Sequence, residues 1–395
     1  MKLVVLVVLL ATAPVALAAS AANPGVTAKA IAIGSSGPLT GESGGAAGLL
    51  RGADAYFRYV NARGGVNGRK IAFMIRDDAG DVAQAVENAR ALVEDDGVFA
   101  LFSVVGEEAT VAVRDYTTPR RVPVVFSAAR ATTLGRDYRR FPYTIGYAPP
   151  PVAEASVYTA HVLATDRKQA KVAVLYDVGE GSALVAAIRK RLGANQKLLL
   201  KAVPYDAATS DVATQVAQLR ESGVNTLLVF LRGAGAVEAV TTANRLGWRP
   251  QLYLGSAAAA SVKSMPQRAV EGAISAVVAK DPATSTWAKD PGVLLARRIA
   301  TKYAKRADAT DAGTVAGMAA AYSFVDALTK TGKTPTRDGL MRAVTHMNEA
   351  SNPFLLPGIR VRTTPTSRFP ISQVGLQRRQ AARWVLVGGL QPAAP

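Results

Sequence analysis

Three observations predict an α/β chain of two successive doubly wound domains, each built on a parallel sheet. Short β-branched runs alternate with longer stretches of helical spacing. That rhythm pauses at IGYAPPP (145–151) and then restarts. And 395 residues exceed what one hydrophobic core usually organises.

In the first half the strand runs are KAIAIGS (29–35), KIAFMIRDD (70–78), VFALFSV (98–104) and VPVVFS (122–127). Between them, 48–62, 79–95 and 107–116 carry apolar residues at helical spacing. A β-α-β-α order calls for a parallel sheet with helices on both faces. In the second half KVAVLYD (171–177), KLLLKAV (197–203), VNTLLVFL (224–231), QLYLGS (251–256) and GAISAVVA (272–279) read as strands, with helices over 181–192, 211–222 and 234–246. The tail differs. Stretches 292–306, 312–330 and 337–346 are consecutive helical patterns that cannot bury their apolar faces alone, so they are expected to pack back on the first domain. FPISQVGLQ and ARWVLVGG then read as two strands returning to the second. The chain would cross between domains near 146–150, 279–282 and 352–360. The expected division is 26–147 with about 281–355, and 148–280 with about 356–395.

The first residues, MKLVVLVVLLATAPVALAASAA, place one lysine, an apolar run and a small-x-small site in secretory-leader order. Pro14 interrupts the segment before the roughly 20 apolar residues a membrane span needs. The expectation is a leader over 1–21, a periplasmic location and, without cysteine, no lipid anchor. With 49% hydrophobic and 19% charged residues the chain is globular rather than disordered. The net charge of +18 is scattered in short pairs such as Arg120-Arg121, and aromatics are only 6%, so a solvated basic surface is expected rather than nucleic-acid binding.

The stretch IGSSGPLTGESGG (33–45) follows the first strand. Its glycines at 34, 37, 41, 44 and 45 fit neither the dinucleotide spacing nor a P-loop. It reads as a cleft rim, with residues from Thr40 to Ser43 available to cap the next helix. His161 and His346 are the only histidines, no cysteine is present, and no G-x-S-x-G elbow occurs. Triads and histidine-rich metal sites are nearly excluded, so no enzyme, metal or cofactor is expected. Asp77-Asp78 at a strand end suits loop capping and hinge contacts better than acid–base work.

Gly37-Pro38-Leu39, Val60-Asn61, Gly64-Gly65-Val66, Gly68-Arg69-Lys70 and Asp77-Asp78, with KVAVLYD and DVATQVAQLRESGVNTLLVF further on, resemble the periplasmic branched-chain amino-acid (Leu/Ile/Val) binding proteins of ABC transporters. The resemblance spans essentially the whole chain after its leader. It implies the type I periplasmic-binding fold: two lobes, three crossovers, and a ligand trapped by hinge closure in the Venus-flytrap manner.

It also implies a site. Ser103, Gly106 and Glu107, and the loop carrying Ser127, Ala128, Ala129 and Arg130, match the two places where the family holds a ligand carboxylate, and a helix N-terminus suits an anion. A family threonine falls on Arg130. The family's ammonium-binding glutamate falls at or beside Ala257, and two family aromatics fall near Val178 and Gly233. No acidic residue occurs between Arg249 and Glu271. The departures imply an anionic ligand without an α-ammonium, clamped by Arg130. The implied partners are a small ligand and the permease subunits of an inner-membrane ABC importer, with the binding protein a monomer. The same closure could instead report ligand to a receptor partner.

Overall fold

A computed structural model describes residues 23–40, 47–304 and 309–393. The expected leader, and Gly41 to Ser43 of the glycine-rich stretch, lie outside the described residues. The first sheet holds β1 (Ala30–Gly37), β2 (Lys70–Asp77), β3 (Ala100–Phe102), β4 (Val124–Ser127) and β5 (Thr144–Gly146). All pair in parallel, in the order β2-β1-β3-β4-β5. Their connecting helices are α1 (Ala47–Asn61), α2 (Val82–Glu94), α3 (Glu107–Thr117) and the single turn α4 (Thr133–Arg136). Asp77 closes the glycine-rich stretch: its carboxylate accepts from the Leu39 N–H at 2.9 Å and the Thr40 hydroxyl at 2.5 Å. Thr40 is thus bound to β2 instead of capping α1. Asp78 takes the Ser36 hydroxyl at 2.7 Å.

The second lobe opens with α5 (Pro151–Thr165), a helix that the strand-and-helix rhythm does not predict. Val152, Ala153, Ala155, Val157, Tyr158 and Val162 bury several sides of it, so no single apolar stripe marks it. The sheet contains β6 (Val172–Asp177), β7 (Leu199–Tyr205), β8 (Thr226–Phe230), β9 (Gln251–Leu254) and β10 (Ile274–Val277). Helices α6 (Gly181–Leu192), α7 (Val212–Glu221), α8 (Gly233–Arg245), α9 (Ser256–Ala260) and α10 (Gln267–Val270) flank it. Ser256, expected at the end of a strand, opens α9 instead.

The tail helices α11 (Pro291–Tyr303), α12 (Ala312–Lys330) and α13 (Arg337–Val344) join the first core. Phe324 of α12 meets Phe102 and Phe57 with ring centroids 5.0 and 5.9 Å apart. Where α12 crosses α1, both helices carry glycine because their backbones touch. A Cβ on Gly317 would stand 1.9 Å from the Leu49 carbonyl oxygen, and one on Gly52 would stand 2.1 Å from that of Thr314.

Residues 278–280 and 354–356 run side by side between the lobes. Ala279 bridges Leu355 antiparallel, Leu356 N–H donates to Val278, and Lys280 N–H donates to Phe354. Buried Lys280 ties this ribbon to Asp290 and to the Pro353 carbonyl at 2.8–2.9 Å. The chain then doubles back. The two-residue strands β11 (Asn348–Glu349) and β12 (Val361–Arg362) pair, Val361 bridges Ile371, and Arg368 donates to the Pro142 carbonyl at 2.7 Å. Val361 and Ile371 belong to the first core. The second sheet is entered only at β13 (Gln373–Gln380), followed by β14 (Arg383–Pro392), which completes the order β14-β13-β10-β9-β8-β6-β7. The return expected near 352–360 therefore takes place after Ile371, because the apolar residues of 359–371 complete the first core.

Candidate ligand cleft

Strands of both sheets point their carboxyl ends at a cleft of about 500 Å³ between the lobes, the position where open α/β sheets bind ligands. From the first lobe come Glu107 and Glu108, in the first turn of α3, and Arg130 from the loop after β4. Gly106 precedes α3 with φ of 95°, a conformation that favours glycine and turns the chain sharply from strand to helix. From the second lobe come Glu154 in the first turn of α5, Asp177 at the end of β6, Arg232 just before α8, and Gly255, Ser256 and Ala257 at the start of α9. Phe230 and Leu231 supply an apolar wall.

Two ion pairs cross the cleft in opposite directions. Arg130 reaches Glu154 at 2.5 Å, and it also donates to the Ser256 hydroxyl and to the Pro149 carbonyl. Glu154 is 2% exposed, and its other oxygen takes the Ser256 N–H at 3.0 Å. Arg232 reaches Glu108 at 3.0 Å while holding Asp177 of its own lobe at 3.2 Å. Burial works against the charge on Arg232, but Glu108, Glu107 and Asp177 outweigh it and raise its pKa further. The hydrogen bond from Arg232 holds the Glu108 carboxyl below its ordinary range. Asp177 is pushed up by burial despite Arg232. Glu107 is pushed up by burial too, against the pull of Arg232 and Arg130. Among the described residues nothing donates a hydrogen bond to Glu107.

A family model described as "Periplasmic binding protein" matches residues 30–378. The chain belongs to the periplasmic binding protein family. It is 29% identical over 215 residues to "Leu/Ile/Val-binding protein homolog 7" of Brucella suis biovar 1 (strain 1330), a match covering 52% of this chain and 53% of the relative. The chain thus spans about half the length of the curated relatives it matches. Two solved structures share the fold. A branched chain amino acid ABC transporter protein from Thermus thermophilus with bound valine superposes with a TM-score of 0.79 at 19% identity, covering 93% of this chain and 97% of that one. A solute binding protein of an ABC transporter from Rhodopseudomonas palustris BisB5, in complex with 3,4-dihydroxy benzoic acid, gives 0.74 at 18%, covering 93% and 98%. Those ligands belong to those proteins.

In this periplasmic binding protein of the type I fold, Glu107, Arg130 and Ala257 come together in the lining. Val178 and Gly233 are not in the lining, although their chain neighbours Asp177, Gly179 and Arg232 are. Ser103 and Ser127 are 1% exposed at the ends of β3 and β4, and neither hydroxyl has a hydrogen-bond partner among the described residues. Ser103 has φ of 56° and Phe126 has φ of 55°, so backbone strain sits directly behind the cleft. Ala128 donates its N–H to Val104, and Ala129 lines a smaller adjoining hollow with Arg130.

One expectation needs correction. Arg130 does face the cleft, but its fork is engaged by Glu154, Ser256 and Pro149 rather than left open for a ligand carboxylate. Nor does the lack of acid near Ala257 leave the cleft without carboxylates. Asp177 was legible as a polar strand end, and Arg232 directly follows a strand run. Glu154 lies in α5, whose burial on several sides leaves no apolar stripe to mark it.

Proposed function

We propose that this protein is a periplasmic solute-binding protein that captures a small ligand, a carboxylate or an amino-acid-like compound, between two lobes and delivers it to an ABC importer in the inner membrane. The observation that carries this reading is the cleft itself, lined from both lobes and spanned by two ion pairs. The lobes are 26–147 with about 281–371, and 148–280 with the remainder. The ligand contacts are Gly106, Glu107 and Arg130 on one side and Ala257 on the other, with Val178 and Gly233 next in the chain to lining residues. Ser103 and Ser127 to Ala129 form the support behind them.

No bond is made or broken in this reading. The ligand's greater affinity for the closed arrangement shifts the population toward it, and the importer reads the closed form. A ligand present at a hundred times its dissociation constant stabilises by about 2.7 kcal/mol. The test is a thermal-shift screen of the exported chain, followed by small-angle scattering with any hit. A melting temperature that rises with concentration, together with a conserved or smaller radius of gyration, supports capture. A bound ligand that leaves the lobes further apart overturns it.

A further inference from the structure

The cleft lies at the carboxyl ends of the strands, and part of the net charge of +18 is concentrated at the opposite pole of the second lobe. Helices α5 and α6 pack together and end at Thr165 and Leu192. The segments that follow them lead into the amino ends of β6 and β7, which pair as Val172 with Leu199. Arg167, Lys168 and Lys171 follow the first helix. Arg189, Lys190 and Arg191 form the last turn of the second, and Lys197 comes just after it. All are exposed. The only acid in 166–171 and 189–201 is Asp166. None of these cations holds a carboxylate among the described residues, whereas Arg58, Arg76 and Arg121 each hold one at 2.7–2.8 Å. Like charges gathered without partners repel one another and favour an anionic counterpart.

A second feature stands at the same pole. Strand β7 is the edge of its sheet, and its register slips at Leu200: Val172 pairs with Leu199 and Ala173 with Lys201. Leu200 is therefore the extra residue of a bulge, 42% exposed between Lys197 and the exposed Lys201. A large apolar side chain among cations gains nothing from a dissolved anion. Against a lipid surface it enters the headgroup layer while the cations hold the phosphates. We propose that this pole docks reversibly on a membrane surface rich in anionic phospholipid. The inference goes beyond solute capture and holds whichever ligand the cleft takes. Strand β6 has six residues, so the docked pole stands about 20 Å from the cleft at about 3.3 Å per residue, and the cleft stays free.

Flotation of the exported chain with lipid vesicles tests this. Vesicles of phosphatidylglycerol mixed equally with phosphatidylcholine should carry the protein at about 0.1 M salt, where the Debye length is about 10 Å, and release it at about 1 M, where it is about 3 Å. Phosphatidylcholine alone should not carry it. Lys168→Gln, Lys190→Gln, Arg191→Gln and Lys197→Gln together should weaken binding about tenfold or more. Lys29→Gln, Lys289→Gln, Arg298→Gln and Lys333→Gln remove the same charge from exposed positions of the first lobe and should leave binding nearly unchanged. Wild-type protein that ignores the anionic vesicles overturns the inference, and so does equal weakening by both variants, since net charge alone would then be acting. Retention of a soluble polyphosphate without flotation would assign the pole to a dissolved polyanion instead. The lipid and salt dependence of the wild-type chain decides the matter even if a variant melts lower.

Discussion

Glu349 lies 7% exposed, in a polar cluster with Ser323, Tyr147 and Asn352 beside the crossing at 146–150. Ser323 donates to one of its oxygens at 3.0 Å, and the other has no partner among the described residues. Tyr147, from the first crossing, and Asn352, just before the 354–356 stretch of the ribbon between the lobes, both meet Ser323, at 2.8 and 3.2 Å. Burial raises the Glu349 carboxyl to about 7, against the hydrogen bond from Ser323. The folded chain therefore keeps a proton that the unfolded chain releases at a lower pH. The stability this group contributes is full below about 4.5 and is lost as pH rises through 7. Glu349→Gln should remove that slope and stabilise the protein at pH 8 by up to about 3 kcal/mol. Urea midpoints of both proteins at pH 4 and pH 8 check it: the variant's gain must be larger at pH 8. Single residues were unevenly legible in the sequence. Arg130 could be placed at the cleft because it follows a clear strand. Its partner Glu154 could not, because their meeting depends on how two lobes approach, and nothing local encodes that.

Elements were easier to read where burial has a period. The inner strands are continuous apolar runs, as strands covered on both faces should be, and α1, α2 and α12 were located to within a few residues. The misses have physical causes. Helix α5 is buried on several sides, β11 and β12 are two residues long, and β5 is a three-residue edge strand. The crossing of α1 and α12 offers a sharp test of packing against propensity. Alanine at position 317 would gain about 1 kcal/mol of helix propensity over glycine. Its methyl, however, would have to displace the Leu49 backbone carbonyl, and overpacking costs about 1–3 kcal/mol or more. The clash should win. Gly317→Ala is expected to lower the urea midpoint, and an unchanged or higher midpoint would show that the helices part freely.

At the scale of the molecule, the two ion pairs across the cleft differ in weight. Arg232 and Glu108 are exposed, so their pair is worth about 0–1 kcal/mol and weakens with salt. Arg130 and Glu154 are largely shielded, at 17% and 3% side-chain exposure. Removing one partner of such a pair costs about 3–5 kcal/mol, because the other charge is stranded. That cost falls on the closed form, since opening lets water reach Glu154. Arg130→Ala should therefore enlarge the radius of gyration of the unliganded protein, and Arg232→Ala should do so only slightly. Equal profiles for wild type and Arg130→Ala would mean that the pair does not hold the lobes together. The two-sheet plan was legible from the interrupted βα rhythm, but the late return at Ile371 was not, because 359–371 has no regular period. That return bears on the order of assembly. The first lobe's strands end at Gly146, yet its core needs Phe324 and Ile371. A ribosome must therefore deliver all of β6 to β10 before the lobe begun first can be finished, and until then Phe57 and Phe102 lack the ring that covers them. The lobe whose strands come first closes its core only after the other lobe's β6 to β10 have been made, a long-range dependence of the kind that slows folding.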